Sequence, residues 1–464
     1  MKVMFLRKKL TQSGVYHMKI NARKMAVKIL NKIDLEQAFS HHVLNAFFDE
    51  YTISSIDRRF ISSLVMGSLE NQMLLDFYIR KFSSTRFGKI NKEVVNILRI
   101  GMYQIIFMDK VPVSAAVNES VKLAKHISPS LGNYVNGVIR GFVRGYEQTP
   151  LPDEKRHPQE HMSILHSHPL WLVKLWEKQY GLEFTKQLLT ANNQMPPVCI
   201  RVNTLKTTPS AFGDLLSAQG IKAVPYKGIP EALIISDLNH KRIVDLDGYE
   251  DGLFQVQDIS SMFIGTVANA KKGDLVIDVC AAPGGKSCHI AQTMHNEGRI
   301  VARDLYEHKC DLIQQNAKRL GINIIETEVR DALKFDSQLK KKADIVLVDA
   351  PCSGLGIIRR KPDIKYKKTE DDLTSLVKLQ SEILSVASEY VKEGGTLIYS
   401  TCTLNDAENI DQVNLFLSHH KAFELIDLSD YTKEAQKTIT LFPNVHQTDG
   451  FFIAKLKRVA LKNE

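Results

Sequence analysis

Cysteine and tryptophan are scarce in this chain of 464 residues, which has six Cys, none before Cys199, and two Trp. So few thiols over such a length form no disulfide framework, and no spacing among them matches a zinc site; no metal is expected. A reducing, cytoplasmic compartment follows as the expectation. Apolar runs of the roughly 18 residues that a membrane span requires are absent, which argues against a membrane partner. Acidic residues are missing from 1–17, which carry Lys and Arg. Met1 to Phe5 is too short for the apolar part of a secretory signal, so an extension over 1–20, with initiation at Met1 or Met18, is the reading.

What is present is a globular composition, 44% hydrophobic and 24% charged, in a chain long enough for about two to four domains. Charge divides unevenly. Residues 1–150 hold 22 Lys or Arg against 11 Asp or Glu, a surplus larger than the whole-chain net charge of +9. A basic front part joined to a near-neutral remainder suits a polyanion held by the former. A basic surface kept for solubility is the plain alternative.

From Asn21 to Tyr146 the apolar positions keep a helical period, with Ala22, Met25, Ala26, Ile29, Leu30 and Ile33 as the first set. An all-α domain over 21–147 is predicted. Ser55 or Asp57 is expected to cap a helix beginning near Arg58. Arg23, Arg58 and Arg59 are candidate phosphate partners, although exposed helix charges without a role would look the same. The polar, proline-punctuated stretch from Thr149 opens a linker over 148–165. His161, His166 and His168 have no Cys or carboxylate to complete a metal set, and Trp171 and Trp176 are expected to pack a helix. Residues 166–255 read as a small α+β domain. From 256 to 460 strands near 275–280, 299–304, 323–329, 344–349 and 395–400 alternate with helices, the pattern of a Rossmann-like α/β domain.

Chemistry concentrates in that last part. VIDVCAAPGGKSCHIA (276–291) is a strand, a tight turn and a helix start, where backbone approaches a ligand at a helix N-terminus. Its glycines are not spaced as a dinucleotide fingerprint. Asp304 closes the next strand about 20 residues on, where a ribose diol partner is expected. Two further strands run into Cys-bearing turns, IVLVDAPCSG (345–354) and TLIYSTCT (396–403). Ligands of a parallel sheet sit beyond the carboxyl ends of its strands, so these turns can share one crevice.

DVCAAPGGKS, DAPCSGLG and YSTCTL resemble the cofactor, Pro-Cys and Thr-Cys motifs of S-adenosylmethionine-dependent RNA cytosine-5 methyltransferases. DRRFISSLVMGSLE, LRIGMYQI and NYVNGVIRGFVR resemble the NusB-like RNA-binding domain that precedes the catalytic part in the branch acting on bacterial 16S ribosomal RNA. The resemblance covers nearly the whole chain. It implies S-adenosylmethionine held by Cys280, Ala281, Ala282, Pro283, Gly284, Gly285 and Lys286, with Asp304 on the ribose, Asp331 near the adenine amino group and Asp349 close by. Cys402 is implied as the thiolate that adds to C6 of cytosine, and Cys352 as the group that assists release of the methylated base. Asp349 would meet the N3 edge, and Lys286 a catalytic partner or the cofactor. Arg201 and Asn203 are implied RNA contacts, with a structural Arg at a strand edge equally compatible. Arg359, Arg360 and Lys361 open a run of cations suited to an RNA backbone. Asp278 is expected to anchor the loop, and Cys199, Cys288 and Cys310 to be packed thiols. The implied partner is 16S ribosomal RNA, free or partly assembled, bound by a monomer. Two departures stand out: Ser287 where relatives carry Thr, and Glu70 where they often carry Arg. A binding or ribosome-assembly factor with a vestigial catalytic fold is the rival of a different class.

Overall fold

The computed structural model describes residues 21–460 apart from 37, 52, 240 and 433–435; the expected extension over 1–20 lies outside the described residues. The front part is helical, with helices Ala22–Glu36, Ser40–Glu50, Ser55–Glu70, Gln72–Phe82, Lys92–Phe107, Val113–Ile127 and Pro129–Gly145. Their apolar stripes, including Ala26, Ile29, Leu64, Val65, Ile79 and Phe142, meet in one core. The third helix starts earlier than expected. Its cap is Ser54 rather than Ser55 or Asp57: the Ser54 hydroxyl accepts the Asp57 amide at 3.1 Å and donates to the Asp57 carboxylate at 2.7 Å. That exchange satisfies an orphan amide of the first turn.

The stretch 148–165 is only half linker, because Pro158 sits in the first turn of a helix, Pro158–Leu165. Helices Leu170–Tyr180 and Leu182–Asn192 follow and bury Trp176, Leu188 and Leu189 against Leu355, Ile358 and Leu404 of the last domain. Trp176 donates its indole N–H to the Leu404 carbonyl at 2.8 Å, so this segment is welded to the catalytic part. Next comes a small antiparallel sheet of β1 (Val198–Val202), β2 (Lys222–Pro225), β3 (Ala232–Asp237) and β4 (Phe254–Val256), in the order β2-β3-β1-β4.

The last domain carries an eight-stranded sheet: β5 (Leu275–Asp278), β6 (Arg299–Asp304), β7 (Ile325–Val329), β8 (Ala343–Asp349), β9 (Val391–Thr401), β10 (Phe423–Leu425), β11 (Thr438–Leu441) and β12 (Phe451–Arg458). The order is β10-β12-β9-β8-β5-β6-β7, with β11 also on β12. Strands β5 to β9 are parallel, and β12 runs antiparallel beside β9. Strand order reverses between β5 and β8, which opens a crevice at their carboxyl ends. The strands expected near 275, 299, 323, 344 and 395 are all present; β10 and β11 are too short to show a period-2 pattern. No helix among the described residues is long and apolar enough to cross a membrane.

Segment 363–367 ties the catalytic domain to the helical domain and to the stretch that follows it. Asp363 is buried and accepts both the amide and the hydroxyl of Ser40 at 2.8 Å. Lys365, wholly buried, donates to the Glu70 carbonyl at 2.9 Å, and Tyr366 donates to the Ser167 carbonyl at 3.0 Å. Burial lowers the Lys365 ammonium to about 7, against the opposing pull of Glu70. Glu70 thus faces the catalytic domain, and burial raises its own carboxyl.

Candidate active site

The crevice beside β5 and β8 is a cavity of about 530 Å³. Cys280, Ala281, Ala282, Pro283, Gly285, Lys286, Asp349 and Cys402 all line it, so residues from three strand ends converge as the sequence suggested. Arg360, Lys361, Asp258, Asp449 and Phe451 are also in the walls.

The loop after β5 owes its shape to Gly284, the residue before helix Gly285–Thr293. Its φ of +97° suits glycine, and an added Cβ would stand 3.1 Å from the Ile313 side chain. Asp278, at the end of β5, accepts the Ser287 hydroxyl at 2.6 Å and pins the helix start to the strand. Burial pushes the Asp278 carboxyl up to about 7, helped by nearby Asp349 and opposed by Ser287. Asp304 ends β6 and is buried, with Lys309 3.3 Å away, and Asp331 accepts the Leu333 amide just past β7. Both lie along the same sheet edge, but neither is part of the cavity wall.

Lys286 donates to Asp349 at 2.5 Å and stands 5.3 Å from the centre of the Phe451 ring. The second Asp349 oxygen accepts the Ser400 hydroxyl at 2.9 Å. Burial opposes the Lys286 charge, yet Asp349 outweighs it and the ammonium is held above its ordinary value.

The two catalytic-turn thiols meet: Cys352 Sγ and Cys402 Sγ are 3.4 Å apart. They are not equivalent. The hydrogen bond from Cys352 lowers the Cys402 thiol, and the cations Lys286 and Lys361 pull the same way against burial and Asp349. Cys352 moves far upward, through the same bond, burial and the acids Glu408 and Asp349. Of the two sulfurs, Cys402 is the one that gives up its proton more readily, since the cations lie on its side and the acid Glu408 on that of Cys352.

What holds the turns together was not read from the sequence. Glu408 is fully buried and accepts the Ser353 amide (2.9 Å), the Ser353 hydroxyl (2.6 Å), Gln380 Nε2 (2.9 Å) and Asn405 Nδ2 (3.0 Å). With its one proton on Glu408, Ser353 accepts from Thr403, 2.7 Å away. One carboxylate thus ties the Cys352 turn to the Cys402 turn. Asn409 adds a clamp, accepting from Thr401 and donating to the Thr403 carbonyl at 3.0 Å. Gly356 permits a further tie, its amide donating to the Cys402 carbonyl at 3.0 Å where an added Cβ would strike Gly450. The only hint was an acidic residue just after the Thr-Cys motif, which looks like any helix start.

Three expected RNA contacts are corrected. Arg201 is buried and donates to the Gly285 carbonyl at 2.9 Å and to the side chains of Gln257 and Gln292. It therefore buttresses the loop after β5 from behind. Asn203 is buried, bonding the Gly252 and Leu320 carbonyls at 2.8 Å. Arg359 is buried against Asp449 at 2.8 Å. Charge read as an RNA-facing run is largely spent inside: Arg360 bridges Asp449 (2.5 Å) and Asp258 (2.6 Å), and Lys365 and Lys367 bond the helical domain. Arg360 and Lys361 still line the cavity. Of the helical-domain candidates, Arg23 donates to Gln104 and Arg58 to the Phe48 carbonyl, whereas Arg59 is exposed. Cys199, Cys288 and Cys310 are buried.

A doubly wound domain with a glycine loop after its first strand and paired Cys turns after its fourth and fifth defines a methyltransferase. Comparison with known proteins narrows this. The description "16S rRNA methyltransferase RsmB/F" matches residues 265–457, the NusB family matches 20–144, and an RsmF/B-like ferredoxin-like domain matches 168–239. The chain is 35% identical to a probable ribosomal RNA small subunit methyltransferase B of Bacillus subtilis, over 95% of this chain and 99% of that one. It is 32% identical to the ribosomal RNA small subunit methyltransferase B of Escherichia coli, over 94% and 98%. The crystal structure of PH0851 superposes with a TM-score of 0.80 at 26% identity, covering 95% of this chain and all of that one. The chain belongs to the RsmB/F family of ribosomal RNA methyltransferases, with a NusB-like domain in front of the catalytic one.

Proposed function

We propose that this protein methylates C5 of a cytosine in 16S ribosomal RNA, in the cytoplasm and as a monomer, through a transient bond between Cys402 and C6 of the base. The observation that carries the reading is the asymmetric thiol pair, with Cys402 lowered and lining the cavity. The names of the relatives support the RNA, as does the basic helical domain. The cofactor would be S-adenosylmethionine, and the residues fit one. A glycine-shaped loop closes on a cavity within the usual range for such ligands, and carboxylates stand at or just beyond the ends of β5, β6 and β7. Cys280 to Lys286 would hold it, with Asp304 toward the ribose and Asp331 toward the adenine. When bound, it supplies an electrophilic methyl group.

Cytosine C5 is a weak nucleophile. Addition of the Cys402 thiolate to C6 moves ring electrons toward C5 and N3 and creates an enamine. Asp349, aligned by Lys286 and Ser400, would meet the N3 and amino edge and stabilise the ring protonated at N3 by a proton from solvent, so that the incoming electrons neutralise the ring. After C5 has accepted its methyl, the C5 proton passes to a water or hydroxide from solvent, and the C–H electrons re-form the C5–C6 double bond. The C6–S bond breaks in the same elimination with its electrons returning to Cys402, and the Cys352 thiol assists release by donating its hydrogen bond to the departing sulfur. The target base must be unpaired or everted, because attack at C6 needs the ring face.

Labelled methyl donor and unmodified 16S RNA test the reading. Cys402→Ala should abolish both transfer and adduct, whereas Cys352→Ala should trap a protein–RNA adduct that survives denaturant. Reversed phenotypes would make Cys352 the nucleophile. RNA binding without transfer by the wild type would mark a binding protein.

A further inference from the structure

Past the wall formed by Asp258 and Arg360, the catalytic cavity adjoins a second, smaller hollow of about 240 Å³. Val256, Gln257, Asp258 and Arg360 border both spaces. The far side of the hollow is apolar, built from Cys199 on β1, Leu238 just past β3 and Ile243. Val256, at the end of edge strand β4, is 42% exposed, and Val244 beside Ile243 is 40% exposed. Concave apolar surface left in water is stabilised when a flat hydrophobic ligand covers it.

The polar side of this hollow is fixed. Arg360 is held by Asp449, Asp258 and the Pro197 carbonyl, at 2.5, 2.6 and 3.3 Å, so its guanidinium is immobilised before any ligand arrives. Guanidinium groups pack on nucleobases, and apolar walls accept the other ring face. The Cys199 thiol, raised by burial to about 12, adds no charge. The space suits one ring system rather than a peptide segment. The shared rim of Val256, Gln257, Asp258 and Arg360 gives a strand with one base turned into the Cys402 cavity a place to lay its next nucleotide.

We infer that the hollow is a subsite for the base adjoining the target cytosine in the RNA strand, packed against Val256, Ile243 and Arg360. The assignment rests on the RNA-methylation reading above and adds a second point of grip on the strand. Contact is through ring faces, because Gln257 is engaged by Arg201 and Ser261 and Asp258 by Ser260 and Arg360. The subsite therefore requires a base but tolerates its identity.

The test uses the full-length protein and a synthetic fragment of 16S RNA spanning the cytosine it methylates. Matched fragments carry an abasic residue at the 5′ or the 3′ neighbour, or each of the four bases there. Loss of one stacked base should lower wild-type kcat/KM by about 10- to 100-fold at one neighbour, with the four bases equivalent within about threefold. Ile243→Trp, which fills the hollow, should lose a similar factor on intact RNA and show no further loss on the abasic fragment, while binding of S-adenosylmethionine stays unchanged. Wild-type activity indifferent to both abasic neighbours would overturn the subsite, as would Ile243→Trp methylating intact RNA at the wild-type rate. No methyl transfer to intact RNA by the wild type would instead overturn the underlying reading, and the subsite with it.

Discussion

Replacing Glu408 by Gln keeps the size of the side chain and removes one acceptor. The native carboxylate takes Ser353 N and Gln380 Nε2 on one oxygen, and Ser353 Oγ and Asn405 Nδ2 on the other. A Gln must turn its oxygen toward the first pair, since Ser353 N–H and the Gln380 amide nitrogen can only donate. Its NH2 then faces a hydroxyl that can rotate to accept and an Asn405 NH2 that cannot. One buried donor is stranded and the charge that strengthened the other bonds is gone, a loss of about 2 to 4 kcal/mol. The urea midpoint should fall accordingly. Activity should change in a specific way: Ser353 adjoins Cys352, and a displacement near 1 Å at a reacting group costs roughly 100-fold in rate. Because Glu408 lies outside the cavity wall, KM for RNA and for cofactor should hold while kcat drops. If release depends on Cys352 as proposed, the variant should accumulate the same denaturant-stable adduct as Cys352→Ala. A Glu408→Gln protein with an unchanged urea midpoint, a normal kcat and no adduct would refute this account of how the two turns are tied.

Other expectations follow from the same geometry. Lys286→Met removes a cation that helps lower the Cys402 thiol, so the acid limb of the pH profile of kcat/KM should move to higher pH; an unmoved limb would detach that limb from Cys402. Lys365 has its ordinary value of 10.5 lowered by burial to about 7 in the folded protein, so between those values the unfolded chain binds more protons and stability rises with pH. The slope from this one group is about 1.4 kcal/mol per pH unit at most; urea unfolding of wild type and Lys365→Met across pH 7 to 10 should show it lost in the variant. Arg201→Ala should weaken cofactor binding and stability while leaving the salt dependence of RNA affinity unchanged, because its guanidinium meets Gly285, Gln257 and Gln292 and no phosphate.

Much of the architecture is legible because it is written in local patterns. The helical front and the five parallel strands each follow from apolar periodicity and turn residues within a dozen positions. Cys280, Asp349 and Cys402 were legible for a related reason: each stands at or just past the end of a parallel strand, and such ends share an edge, whereas Asp258 and Asp449 do not and were missed. Short β10 and β11 left too few residues for a pattern, and the helix at Pro158 hid behind the prolines of a linker.

Charge was the poorest guide. A run such as Arg359 to Lys368 looks solvent-facing because sequence shows no partner, yet Asp449 lies 90 positions from Arg359 and Ser40 lies 323 from Asp363. Only the folded chain brings such groups within 3 Å, and pairing turns an apparent RNA surface into the joint between two domains. Sequence determined which residues stand at the strand ends, because backbone geometry is local. Tertiary structure decided which thiol is lowered and which is raised, because that depends on Lys286, Lys361, Glu408 and Asp349, charges gathered from separate parts of the catalytic domain by packing alone.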